Sequence, residues 1–118
     1  MYDHIGLKAK DLKRASRFYE AALGALGLKL TYEDETTRGF GAKKATGLYL
    51  SEGTPAKDVH IAFAASSRAA VDGFHEAGLK AGGKDNGAPG IRADYAPTYY
   101  AAFVIDPDGN NIEAVCLK

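Results

Sequence analysis

Two stretches of the chain, MYDHIGLKAKDLKRASRFYE at its start and DVHIAFAASSRAAVDGFHE at Asp58–Glu76, repeat one another. A shift of 56 residues lays His4 on His60, Ile5 on Ile61, Gly6 on Ala62, Leu7 on Phe63 and Ala9 on Ala65. It continues without a gap through Phe18 on Phe74, Glu20 on Glu76, Ala21 on Ala77, Leu23 on Leu79 and Gly27 on Gly83. Such self-similarity means two copies of one supersecondary unit. In a chain of 118 residues neither copy is large enough to bury a core alone, so the two are expected to share one.

Each copy opens as a strand followed by a helix. His4–Ala9 alternates Ile5, Leu7 and Ala9 on one parity, Asp11 is a good N-cap, and Leu12, Ala15, Phe18, Tyr19, Ala22, Leu23 and Leu26 recur at helical spacing until Gly27. Three strand signals follow, at Lys29–Glu33, Gly39–Lys43 and Gly47–Ser51. GTPAKD (Gly53–Asp58) reads as a linker into a second strand, Val59–Ala64, and a helix over Ser67–Ala81 capped by Ser66 or Ser67. The glycine- and proline-rich GKDNGAPGIRADYAPT (Gly83–Thr98) reads as a short strand and a long loop. Tyr99–Ile105 and Ile112–Leu117 are strands joined by the turn sequence DPDG at Asp106–Gly109. The expectation is an α+β fold: two βαβββ modules, about residues 1–53 and 58–118, forming one cupped mixed sheet within a single domain.

Parity then sorts the polar residues. His4 and His60 are repeat-equivalent, and each lies opposite in parity to the apolar pair beside it, Ile5/Leu7 or Ile61/Phe63, so both face away from the helices. On the last strand Ile112, Ala114 and Cys116 have core parity and Glu113 the other. Two imidazoles and a carboxylate on one sheet face are a set that binds a divalent transition metal and leaves positions open for substrate. The bland alternative is a pair of half-exposed strand histidines kept by repeat ancestry and a solvated glutamate. Tyr99 shares parity with Phe103, so both line the same face, while Arg92 and Tyr95 sit on the long loop where an anionic group of a substrate would be held. His75 falls off the apolar stripe of the second helix and is expected to be exposed.

Charge narrows the partners. Lys+Arg and Asp+Glu both number 15, which supplies no basic stripe for nucleic acid or an acidic membrane surface. The single cysteine, Cys116, allows no internal disulfide, and no apolar run suggests a signal or a membrane span of about 20 residues. The expected partner is a small molecule and the expected compartment the cytoplasm.

The stretches HIGLKAKDLKRASRFYEAAL and AAFVIDPDGNNIEAV resemble the vicinal oxygen chelate superfamily, the group of glyoxalases, bleomycin-resistance proteins and extradiol dioxygenases. The resemblance covers nearly the whole chain, and F-x-x-DPDG-x-x-IE is its most specific part. It implies metal ligands on the first and last strand of each module, which map onto His4, Tyr49, His60 and Glu113. Tyr49 stands where glyoxalase I enzymes usually carry a carboxylate, and Phe103 where extradiol dioxygenases carry a tyrosine; Tyr49 is therefore read as lining the substrate space. The resemblance further implies a homodimer and a divalent metal such as Zn, Ni, Fe or Mn. The function it implies is a metal-dependent lyase, isomerase, dioxygenase or transferase acting on a small oxygen-bearing or thiol-conjugated metabolite. The alternative is a metal-free protein that binds and sequesters a drug-like molecule.

Overall fold

The computed structural model describes all residues from Met1 to Lys118. Its elements are β1 (Ile5–Ala9), α1 (Leu12–Gly24), β2 (Lys29–Glu33), β3 (Thr37–Gly41), β4 (Leu48–Glu52), β5 (His60–Ala64), α2 (Arg68–Lys80), β6 (Lys84–Ile91), β7 (Tyr100–Ile105) and β8 (Asn111–Cys116). The repeat is visible to the residue in the helices, each 13 residues long and offset by 56. Both begin on a side-chain cap three residues back from the bonded amide, Asp11 accepting from the Arg14 N–H and Ser67 from the Ala70 N–H. They end differently. Gly27 reverses the chain after α1 with φ +83°, whereas after α2 Gly82 takes that role at φ +101°. Gly83, the repeat mate of Gly27, is instead a contact point: a Cβ there would lie 2.5 Å from Val104 and 2.6 Å from Phe18.

Each module folds its strands into a separate four-stranded mixed sheet, in the orders β1-β4-β3-β2 and β5-β8-β7-β6. The first pair of each is parallel and the remainder antiparallel. Gly6 pairs with Tyr49, and Ala62, the repeat mate of Gly6, pairs with Glu113. Tyr49 and Glu113 are therefore structural equivalents. They lie 64 residues apart rather than 56, so the second copy is eight residues longer between its helix and last strand.

Three of the extra residues are in β6, an eight-residue strand where a short one was expected, and five are in the loop that follows it. The register of β6 shifts between Asp85 and Gly87 and again between Gly87 and Gly90, and as an edge strand it tolerates Pro89. That loop, residues 92–99, is still shorter than expected and is closed by the Arg92 N–H on the Tyr99 carbonyl at 2.8 Å. In module 1, β3 begins two residues before the expected Gly39. The chain turns instead at Ala42–Ala45, where Lys43 has φ +55° and a Cβ on Gly41 would collide with the Ala45 carbonyl.

The helices cover one face of the sheets and leave the other open. One continuous core of 18 residues draws on both modules, with Phe18, Tyr19, Leu23, Phe40 and Leu50 from the first and Val71, Phe74, Val104 and Ile112 from the second. Burying a side chain such as Phe18 or Phe74, each fully inaccessible, stabilises by roughly 2–3 kcal/mol. The buried carboxylate of Asp106 at the head of the DPDG turn ties the modules together. It accepts from the Tyr19 hydroxyl of α1, from the Asp108 N–H at 2.8 Å, and from the Asn110 backbone and side-chain N–H groups at 2.9 and 2.8 Å. Burial, and next the Asp106 charge, push the Tyr19 phenol well above its ordinary pKa, so it remains a donor. Asp108 continues the tie by accepting from the Lys10 N–H at 3.0 Å.

No strand of one sheet pairs with a strand of the other, so β1 and β5 each present an unpaired edge. The result is an elongated body of 43 × 27 × 27 Å. No helix is long and apolar enough to cross a membrane.

Candidate metal and substrate site

The open face of module 2 gathers six of the singled-out side chains. Glu113 on β8 pairs across with Phe103 on β7 and Ala62 on β5, and His60 lies two residues before Ala62, on the same side. Glu113 is buried, 2% exposed, despite its charge. A buried carboxylate requires partners, and it has them: the Tyr99 hydroxyl donates to Oε2 at 2.5 Å, and His60 Nε2 stands 3.1 Å from Oε1. That hydrogen bond to Glu113, with partial burial, pushes the Tyr99 phenol up to about 12, so it donates throughout the physiological range.

The imidazole of His60 is oriented from behind. Its Nδ1 is 2.9 Å from the Asn111 carbonyl, which can only accept, so Nδ1 carries the proton. Nε2 then presents a lone pair toward Glu113 Oε1, another lone pair. Two acceptors at 3.1 Å are satisfied by a shared proton or by a cation. The carbonyl behind the histidine and the phenol behind the carboxylate are outer-shell partners of the kind that orient metal ligands. With 47% of its side chain exposed, His60 is reachable from solvent.

Module 1 holds the corresponding half. His4 Nδ1 lies 2.6 Å from Asp3 Oδ1, so its Nε2 is likewise left free, and the Tyr49 ring meets it edge-on at 5.2 Å. His4 does not join His60 and Glu113. Among the His, Cys, Asp and Glu side chains of this chain, no three come together to hold a metal ion. Repeat symmetry makes the two histidines equivalent on their own sheets without making them neighbours.

Phe103 lies beside His60, their rings 6.3 Å apart and inclined by 22°. Arg92 extends over Phe103, its guanidinium carbon 5.4 Å from the ring centre. Tyr95, 64% exposed, meets Tyr99 edge-on at 5.0 Å. Arg92, Tyr95, Tyr99 and Phe103 thus flank the His60–Glu113 pair. His75 departs from expectation: its side chain is 14% exposed and its Nε2 lies 2.9 Å from Asp85 Oδ1 on β6, a bond that, with the Gly87 N–H, holds the Asp85 carboxyl below its usual range. Helix periodicity placed His75 off the core stripe but could not show the strand beside it. The orienting roles of Asp3, Tyr99 and the Asn111 carbonyl also escaped the sequence; only the adjacency of Asp3 to His4 was visible there.

An open cavity of about 290 Å³ lies elsewhere, among Leu23, Leu28, Phe40, Leu48 and Phe63, with Asp3 at its rim. These are core-side residues with no convergent polar groups, so the His60–Glu113 face is the better candidate site.

Residues 2–114 match the profile of the Glyoxalase/Bleomycin resistance protein/Dioxygenase superfamily. The chain belongs to that family, whose fold of two βαβββ modules it shares. A glyoxalase/bleomycin resistance protein from Albidiferax ferrireducens is 31% identical, with a TM-score of 0.86 and 98% of each chain covered. The fosfomycin resistance protein FosX from Mesorhizobium loti has the same fold at 19% identity and a TM-score of 0.71, over 98% of this chain and 91% of that one. A glyoxalase I mutant from Zea mays is similar at 22% identity and a TM-score of 0.70, over 96% of this chain and 43% of the longer plant chain. No curated protein sequence matches.

Proposed function

We propose that the chain is a metal-dependent enzyme acting on a small oxygen-bearing or thiol-conjugated metabolite, with each site built from His60 and Glu113 of one chain and His4 of a second copy. The observation that carries this reading is the approach of His60 Nε2 to Glu113 Oε1 at 3.1 Å, each group held from behind by a neutral partner. Two of three family ligands are thereby preset, and the third, with Tyr49, waits on a sheet whose edge strand is unpaired. Unpaired edges at β1 and β5 favour closure by a symmetric partner, and Ile5 on β1 is 37% exposed.

A divalent transition metal such as Zn, Ni, Fe or Mn, held by that set, supplies Lewis-acid polarisation of a substrate oxygen. The chain's own residues do the rest. Glu113 brings the negative charge, the Asn111 carbonyl fixes the His60 tautomer, and Tyr99 keeps one Glu113 oxygen engaged so that the other points at His60. Phe103, Arg92, Tyr99 and Tyr49 line the space for substrate. Tyr49 in place of a second carboxylate favours the competing reading, a metal-free binder, because a phenol is a poor base and a reluctant ligand beside a carboxylate.

Subunit complementation tests the proposal. His4→Ala and Glu113→Ala chains should each bind divalent metal weakly by calorimetry. Refolded together they should regain about one quarter of the wild-type sites by random pairing, because one site in each mixed dimer is intact. No regain would remove the shared site, and no metal uptake by wild type would favour the binder. Light scattering at micromolar concentration should show a dimer.

A further inference from the structure

The glycine-rich insertion of β6 has no part in the ligand set, yet it shapes the surface beside it. A Cβ on Gly87 would stand 3.1 Å from Arg92 Nη2 and 2.9 Å from Phe103 Cδ1, and one on Gly90 would stand 3.2 Å from Arg92 Nη1. The two register shifts of β6 fall at these glycines. Arg92 therefore lies in a seat cleared of side chains, with its guanidinium over the Phe103 ring.

That seat leaves its charge unanswered. Arg92 donates from Nη2 to the Ala88 carbonyl at 2.7 Å, and none of the ion pairs of the chain includes it. A guanidinium has five N–H donors, so most of the fork is unused. Arg38 on the module 1 sheet is the contrast: Glu33 pairs with its Nε at 3.1 Å, and the Asp34 and Thr37 carbonyls accept from its Nη1. A planar cation fixed on an aromatic face, with free parallel N–H groups, is built to take a carboxylate bidentately.

We infer that Arg92 is an anion-binding subsite and that the ligand of this face is a flat organic carboxylate, one whose aromatic or conjugated body lies along Phe103 and His60. The conjugated body follows from the aromatic groups around the cation: Phe103 lies under the guanidinium at 5.4 Å, His60 is stacked 6.3 Å from Phe103, and the exposed Tyr95 meets Tyr99 edge-on. The carboxylate sits on Arg92 and the opposite end of the ligand reaches the His60–Glu113 pair, which is where the inference rests on the function proposed above.

Nitrogen-15 NMR of the chelator-treated protein tests it, following the Arg92 Nε–Hε resonance during titration with benzoate, benzamide and acetate. Benzoate should saturate with a millimolar dissociation constant, at least tenfold tighter than benzamide, which lacks the charge, or acetate, which lacks the ring. Arg92→Gln should abolish the preference for benzoate, and Arg92→Lys, a point charge without the fork, should retain only part of it. The amide spectrum of each variant reports that it is folded. Failure of benzoate to saturate, equal binding of benzamide, or unchanged benzoate binding by Arg92→Gln would each overturn the subsite. No metal is present in this titration, so a failed metal site would leave its outcome untouched.

Discussion

The two modules start from one sequence and have diverged in what they contribute. The first supplies most of the helix-side core: α1 buries Leu12, Ala15, Ser16, Phe18, Tyr19, Ala22 and Leu23, whereas α2 buries only Val71, Phe74 and Gly78. The second supplies the polar apparatus. Where module 1 has His4 and Tyr49, module 2 has His60 and Glu113, backed by Tyr99 and flanked by Phe103 and Arg92. Duplication gave two equal frames, and the longer second copy used its extra residues to furnish one face.

The comparison breaks most severely at the turns between the last two strands of each module. Asp106→Ala removes the acceptor shared by Tyr19 and Asn110 and leaves buried donors unpaired, at about 1–3 kcal/mol each. Urea unfolding should show a total loss of at least about 3 kcal/mol. Next come the equivalent positions Glu113 and Tyr49. Calorimetric metal titration should find affinity lowered by at least about 100-fold in Glu113→Ala, about tenfold in Tyr99→Phe through loss of the orienting bond, and little changed in Tyr49→Phe. Equal losses at Glu113 and Tyr49 would erase the division between the modules.

A subtler asymmetry is alkaline. The folded-state pKa of Tyr99, about 12, lies above the ordinary value of about 10, so the folded protein holds this proton more tightly. Its contribution is complete below about pH 10 and is lost as pH rises toward 12. Denaturation midpoints measured across that window should fall less steeply in Tyr99→Phe than in wild type. The smallest effect belongs to the module 1 turn: Lys43→Gly relieves a positive φ of 55° and should raise stability by no more than about 1 kcal/mol.

Periodicity made both helices legible, because α1 and α2 present strong apolar stripes between clear caps. Parity did the same for Glu113, whose neighbours Ile112 and Ala114 are fully buried on the other face. What escaped depends on contacts between distant strands. Only a short strand was expected where β6 runs, because Gly87, Pro89 and Gly90 are strand breakers in general, and only its edge position makes room for them. The pairing of Tyr99 with Glu113 needs the β7–β8 register, and that of His75 with Asp85 needs α2 to lie over β6. The separation of His4 from His60 is of the same kind, since a repeat defines equivalence under a rotation and leaves the distance to packing.

The DPDG turn carries one more consequence. It is the most recognisable stretch of the chain, and its leading aspartate spends every hydrogen bond on Tyr19, Asn110 and the turn itself. Kinship traced through that tetrapeptide follows a pin between the two halves, not a group on the open face. The Asp106 side chain stays on the buried side, whereas Phe103 and Glu113, on the strands either side, belong to the candidate site.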